Sequence, residues 1–186
     1  MTRLWITGFR SFELGIFGNQ DPKVAVIKFA LEKLLKRALD EGLEWVITGG
    51  QLGIDQYALE TANALRLDNP LLKTALMTPF IDFGGQWNEN NQAQLQQLKT
   101  AVDFTQSVSP EPYKNPQQFK NYQNFMLKHT DGVILFYDPQ ADESKVRFLY
   151  AAMQQYQQNR SYSITLVDFD RLQEYADEYA ESIREW

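Results

Sequence analysis

The stretch Thr48-Gly49-Gly50-Gln51-Leu52-Gly53-Ile54-Asp55 constrains this chain more than any other. It follows a short apolar run, Glu44–Thr48 (EWVIT), and opens a segment that places Ala58, Leu59, Ala62 and Leu65 on one helical face. A strand that passes through a glycine turn into a helix is the start of a βαβ unit. Glycines there let a backbone approach a ligand closely and let amides point outward. The helix N-terminus adds partial positive charge, so a phosphate or carboxylate is its natural guest. The pattern is not GxGxxG, and no lysine follows as it would in a Walker A loop. An unliganded turn with Asp55 as a capping acid has the same sequence, and the residues alone leave both readings open.

The rest of the chain repeats this alternation. Arg3–Gly8 reads as a strand buried on both faces, followed by an aromatic, glycine-rich loop over Phe9–Gln20. Asp21-Pro22 is a helix start, Ile27, Leu31, Leu34, Leu35 and Ala38 share a face, and Gly42 is a stop. Further strands are expected at Lys73–Met77, Phe104–Val108, Asp131–Tyr137 and Ser163–Val167. Helices are expected over Asn90–Ala101, from Asn115-Pro116 to Lys128, over Ser144–Gln158, and over Asp170–Arg184. With right-handed crossovers this becomes a Rossmann-like, doubly wound α/β fold, a mostly parallel sheet with helices on both faces. Ligands of such sheets bind at the carboxyl ends of the strands, where the strand order reverses.

A length of 186 residues suits one domain, residues 1–186, able to bury a core without staples. The chain has no cysteine and one histidine, which excludes disulfides, thiolate metal sites and multi-histidine cages. The net charge of −6 argues against a protein that coats phosphate backbones, so nucleic acid is not the expected partner. No apolar run reaches a membrane-helix length, and no secretory leader pattern is seen, so a cytoplasmic protein without membrane contact is expected.

Around the glycine turn, Thr7-Gly8-Phe9-Arg10-Ser11 follows the first strand. Arg10 can bind a phosphate or carboxylate with two parallel hydrogen bonds, or it can be an ordinary surface arginine. Adjacent first and second strands would turn Gly8, Arg10 and Ser11 toward the same crevice as Gly49, Gly50, Gln51 and Gly53. Asp55 is read as a partner for a ribose hydroxyl or as a cap. Trp87 is read as a stacking surface for a base or as cover for the core edge. Glu89 is the weak acid/base candidate, or else a solvated acid. His129 reads as a dipole partner at a helix end. Trp5 and Trp45 are expected in the core. The stripe Tyr175, Ala176, Tyr179, Ile183 packs either on the core or on a second copy of the chain, so a homo-oligomer is possible.

The segments Ile6–Phe17, Trp45–Ala62, Trp87-Asn88-Glu89 and Asp131–Asp138 together resemble the YpsA family, a bacterial group common in Gram-positive organisms. The resemblance covers nearly the whole chain. It implies membership of the SLOG superfamily of Rossmann-like proteins, which includes DprA DNA-processing proteins, LOG-type nucleotide phosphoribohydrolases and molybdenum-cofactor carriers. It thereby implies a nucleotide-like ligand, but no particular reaction and no identified cofactor; with no reaction implied, a ligand-sensing or regulatory role is the expectation favoured over catalysis. The PGGxGT loop of LOG-type hydrolases is replaced by Tyr137–Ser144, which lacks its glycines, and that counts against N-glycosidic hydrolysis. The GGxxGxD pattern of DprA-like proteins is matched by Gly49, Gly50, Gly53 and Asp55, without the basic surface that binds single-stranded DNA.

Overall fold

The computed structural model describes residues 1–141 and 143–184. Asp142, within the Tyr137–Ser144 stretch, and the last two residues of the expected 1–186 domain lie outside the described residues. The strands are β1 (Arg3–Gly8), β2 (Trp45–Thr48), β3 (Lys73–Thr78), β4 (Phe104–Ser107), β5 (Gly132–Phe136) and β6 (Ser163–Val167). The helices are α1 (Pro22–Asp40), α2 (Ile54–Leu65), α3 (Glu89–Ala101), α4 (Gln117–Lys128), α5 (Val146–Gln158) and α6 (Phe169–Arg184). All strand pairs are parallel, in the order β4-β3-β2-β1-β5-β6.

That order dictates the layers. From β1 to β4 the chain steps one way across the sheet, so right-handed crossovers put α1, α2 and α3 on one face. It then returns to β5 and steps outward to β6, which puts α4 and α5 on the other face. Helix packing follows suit: α1 contacts α2 and α6, and α4 contacts α5. The order reverses between β1 and β5, so their carboxyl ends frame a crevice.

The central strands are apolar because both faces are covered. All of β5 is buried, and so are residues 4–8 of β1. Helix α1 starts where the Asp21 carboxylate accepts the Lys23 amide hydrogen at 2.9 Å, beside Pro22. Its stripe Val24, Ile27, Leu31, Leu34 and Leu35 then lies against the sheet. Leu31 and Leu35 are fully buried, and truncating either to alanine would cost about 2–5 kcal/mol.

Departures from the sequence reading have local causes. The loop after β1 contains a short 3-10 turn, Ser11–Leu14, in which the Glu13 carboxylate accepts the Arg10 amide hydrogen at 2.8 Å. Helix α3 begins at Glu89, one residue early, because Asn88 is its cap and accepts the Asn91 amide hydrogen. Helix α5 begins at Val146, after Ser144, whose hydroxyl accepts the Val146 amide hydrogen. Trp45, expected in the core, is only half-buried, whereas Trp5 is sealed at 1% exposure. The α6 stripe packs partly on α1, with Tyr179 tilted against Phe29, while Ile183 stays exposed. His129 closes α4 as expected, with Nδ1 2.8 Å from the Phe125 carbonyl.

Candidate functional site

The loops after β1 and β2 are bonded to each other. The Ser11 amide donates to the Leu52 carbonyl at 3.0 Å, and the Ile54 amide donates to the Phe9 carbonyl at 3.2 Å. Arg10 and Gly53 form an antiparallel bridge between them. Gly53 makes the contact possible, since its φ of 126° belongs to glycine. A Cβ there would lie 2.6 Å from both the Phe9 oxygen and the Ser11 nitrogen. The strand adjacency read from the sequence thus holds, and Arg10 reaches the crevice of the glycine turn.

Other glycines make room for the protein's own groups. A Cβ on Gly49 would sit 2.5 Å from the Tyr122 hydroxyl and 2.7 Å from Asp55 Oδ2. One on Gly50 would strike Leu95 of α3 at 2.6 Å, and one on Gly8 would collide with the Phe136 carbonyl. The Gln56 side-chain amide donates to the Gly50 carbonyl at 2.9 Å and pins the turn.

Asp55 lies in the first turn of α2, where an anion is favoured, and is 4% exposed. The Thr7 hydroxyl donates to its Oδ1 at 2.6 Å, and the Gln51 amide reaches Oδ2 at 3.4 Å. Burial pushes this carboxyl above its ordinary 3.8, and the Arg10 charge, the Thr7 hydroxyl and the Gln51 amide pull it only partly back. Tyr122 of α4 stands close by. Its phenol is held well above the ordinary 10, first by burial and then by the Asp55 charge. The ring as a whole is half-buried, so burial is concentrated at the hydroxyl end.

These groups border a cleft of about 610 Å³ at the switch point, between the sheet end and helices α4 and α5. Arg10, Gly50, Gln51 and Asp55 line it, together with Thr7 and Tyr122. Arg10 is half-buried, and among the described residues it has no ion-pair partner. Glu13 also borders the cleft, but it is engaged: it accepts from the Arg10 amide and, at 2.6 Å, from the Ser144 hydroxyl. The Trp5 indole forms part of the wall, and its Nε1 is the one buried side-chain polar atom without a partner among the described residues. Exposed Phe12, Phe119 and Phe148 stand at the mouth.

Other expected residues lie elsewhere. Gly8, Ser11, Gly49 and Gly53 shape the loops behind the cleft and do not border it. Trp87 packs edge-on against Phe83, ring centres 5.4 Å apart; Phe83 lines the cleft and Trp87 does not. Glu89 is exposed at the start of α3. A second depression, about 670 Å³ between α2 and α3, includes Glu60, which is already paired with Lys28. Among the described residues no group of three His, Cys, Asp or Glu is placed to hold a metal. No described helix is long and apolar enough to cross a membrane.

Sequence reasoning missed Tyr122, Phe119 and Phe148, which come from α4 and α5. The spacing of Phe119 and Tyr122, three apart on one helical face, was a usable signal. It carried no hint that this face returns to the end of β1.

Comparison with known proteins gives matches over nearly the whole chain. The model of the YpsA family, described as the YspA SLOG family, matches residues 4–172. A UPF0398 protein of Leuconostoc citreum is 52% identical over 181 residues, covering 97% of this chain and 95% of the relative. One of Levilactobacillus brevis is 53% identical over 182 residues, covering 98% and 96%. One of Lactiplantibacillus plantarum is 51% identical over 181 residues, covering 97% and 95%.

Proposed function

As this chain belongs to the YpsA family of SLOG proteins, we propose that its strand-end cleft binds a nucleotide or nucleotide-derived small molecule in a ligand-sensing or regulatory role. One observation carries the reading: a cleft at the switch point joins the Arg10 cation, unpaired among the described residues, to the buried Asp55 carboxyl. Arg10 is the phosphate binder, because its planar fork matches a phosphate edge. Asp55 and Tyr122 suit hydroxyl-bearing groups, which can donate to a carboxylate and accept from a phenol. Gln51 offers its side-chain amide beside them. Gly8, Ser11, Gly49, Gly50 and Gly53 serve by shaping the two loops.

The glycine turn itself is a poor seat for phosphate. The Gln51 amide faces Asp55, the Ile54 amide is bonded to Phe9, and Asp55 holds the helix terminus that an anion would need. Phosphate is therefore assigned to Arg10 rather than to the turn.

Binding is preferred to turnover for a chemical reason. Glu13, a second carboxylate on the cleft, is already held by two donors, and no histidine borders it among the described residues. N-glycosidic hydrolysis would have to use the buried Asp55 or the exposed Glu143, the other carboxylates on the cleft. Chromatography for released base, run alongside the binding assay, tests that alternative.

The test is a thermal-shift panel of adenine mono-, di- and dinucleotides and sugar nucleotides. A ligand at 100 times its Kd stabilises the folded state by about 2.7 kcal/mol. For a chain of this size that raises Tm by roughly 5–11 °C. Arg10→Ala is expected to remove most of the rise, measured against the variant's own unliganded Tm because the Arg10 charge also acts on buried Asp55. A ligand that shifts both proteins equally refutes the role of Arg10.

A further inference from the structure

We propose that the mouth of the cleft is a stacking subsite for a flat, unsaturated ring, built by Phe12 and Phe148 with Phe119 beside them, so that the ligand sits ring outward and hydroxyl-bearing part inward. This rests on the reading of the cleft as a nucleotide site.

Three phenylalanines from three separate elements meet at one opening: the 3-10 turn after β1, α4 and α5. They are 69%, 42% and 62% exposed for Phe12, Phe119 and Phe148. Leaving such rings in water forgoes the burial that phenylalanine normally gains. Phe119 is partly explained by the chain itself, because its ring packs edge-on against Phe80, centres 5.5 Å apart, and beside Tyr113. No such packing accounts for the other two. Among the described residues Phe12 has no aromatic partner, and Phe148 has only the Arg147 guanidinium, 4.7 Å from its ring centre.

The interior of the cleft sets the orientation. Asp55, Tyr122, Thr7 and Gln51 form a polar end, where the apolar faces of a flat base would lie against buried polar groups. A sugar hydroxyl both donates and accepts, so it can serve Asp55 and Tyr122 together. The apolar rings are at the mouth. A ligand with one polar end and one aromatic end therefore fits one way round. Trp87 does not line the cleft, so the stacking expected of it is assigned to the mouth phenylalanines.

The experiment measures Kd for adenosine 5′-monophosphate and for ribose 5-phosphate by calorimetry. It compares the wild type with Phe12→Ala, Phe148→Ala and Trp87→Ala. Stacking a base on an aromatic side chain is worth enough that each mouth substitution should weaken adenosine monophosphate about 5- to 150-fold. Ribose 5-phosphate affinity should be unchanged by either. Trp87→Ala is expected to lower Tm through the core while leaving adenosine monophosphate affinity within about threefold of a Tm-matched control. Because Phe12 and Phe148 are exposed, their variants should keep the wild-type Tm, which separates lost stacking from lost folding. Equal losses for both ligands, or none, overturn the subsite while the cleft reading stands. A wild type that binds neither compound overturns the subsite, and the cleft reading falls with it when ADP-ribose and NAD also fail to bind. A dimer that becomes a monomer in Phe148→Ala, with nucleotide affinity unchanged, would show that these rings meet a second copy of the chain and would also overturn the subsite.

Discussion

Replacing Gly53 by alanine tests whether the glycine turn is built for a ligand or for the neighbouring loop. The residue has φ 126° and ψ −136°, a region essentially reserved for glycine, and forcing another residue there costs about 1–3 kcal/mol. The new Cβ would also lie 2.6 Å from the Phe9 oxygen and the Ser11 nitrogen, both backbone atoms that cannot rotate away. Such overpacking costs typically about 1–3 kcal/mol more. The two together give about 2–6 kcal/mol, or a fall in Tm of roughly 4–24 °C. Two controls grade the result. Gly42 has φ 101° with open space around it, so alanine there pays for backbone geometry alone, about 1–2 kcal/mol. Gly18 has neither constraint, and alanine there should change stability by less than about 0.5 kcal/mol. Chemical denaturation of the ligand-free proteins should therefore rank Gly18→Ala, Gly42→Ala and Gly53→Ala in order of growing loss. A Gly53→Ala protein as stable as Gly42→Ala would refute the reasoning. It would mean that the two loops can part without cost and that Gly53 serves something outside the chain.

Further outcomes follow from the same geometry. Thr7→Val removes a buried donor from Asp55 and should cost about 1–3 kcal/mol, read by denaturant midpoint. The raised carboxyl of Asp55 gives a signed pH dependence. The fold favours its protonated form, so its stabilising contribution is complete below 3.8 and is lost as pH rises through the folded value. Wild type should thus lose stability relative to Asp55→Asn across that rise, when both are denatured from about pH 3 to pH 8; a constant difference would show that Asp55 does not titrate abnormally. A labelled single-stranded oligonucleotide should not bind at about 0.15 M salt, given a net charge of −6, and sub-micromolar affinity with a steep salt slope would reverse that expectation.

Much of the fold was legible because its signals are local. Asp21-Pro22, the stripe on α1 and the apolar run of β5 each declare an element within a few residues. The adjacency of Arg10 to the glycine turn was legible too, through the rule that consecutive βαβ strands pair side by side. The wall opposite was not. Phe119, Tyr122 and Phe148 reach the cleft only because the chain crosses back over the sheet after β4, and no local pattern records that step. The function of each glycine was equally hidden. Gly50 reads as part of a phosphate cradle in sequence, yet the space beside it belongs to Leu95 of α3, a contact between separate segments that no local pattern records. In sequence Trp87 reads equally as a base platform or as cover for the core edge, and only the folded chain shows it packed on Phe83.

Titration calorimetry with adenosine 5′-monophosphate, ADP-ribose and NAD tests the central claim most directly, using wild type beside Arg10→Ala. The account predicts saturable, one-to-one binding of at least one of the three to the wild type, with affinity reduced about tenfold or more in Arg10→Ala, as for loss of a charge-assisted pair. Absence of heat and of saturation for all three at about 1 mM, a Kd that corresponds to only about −4.1 kcal/mol, would contradict it.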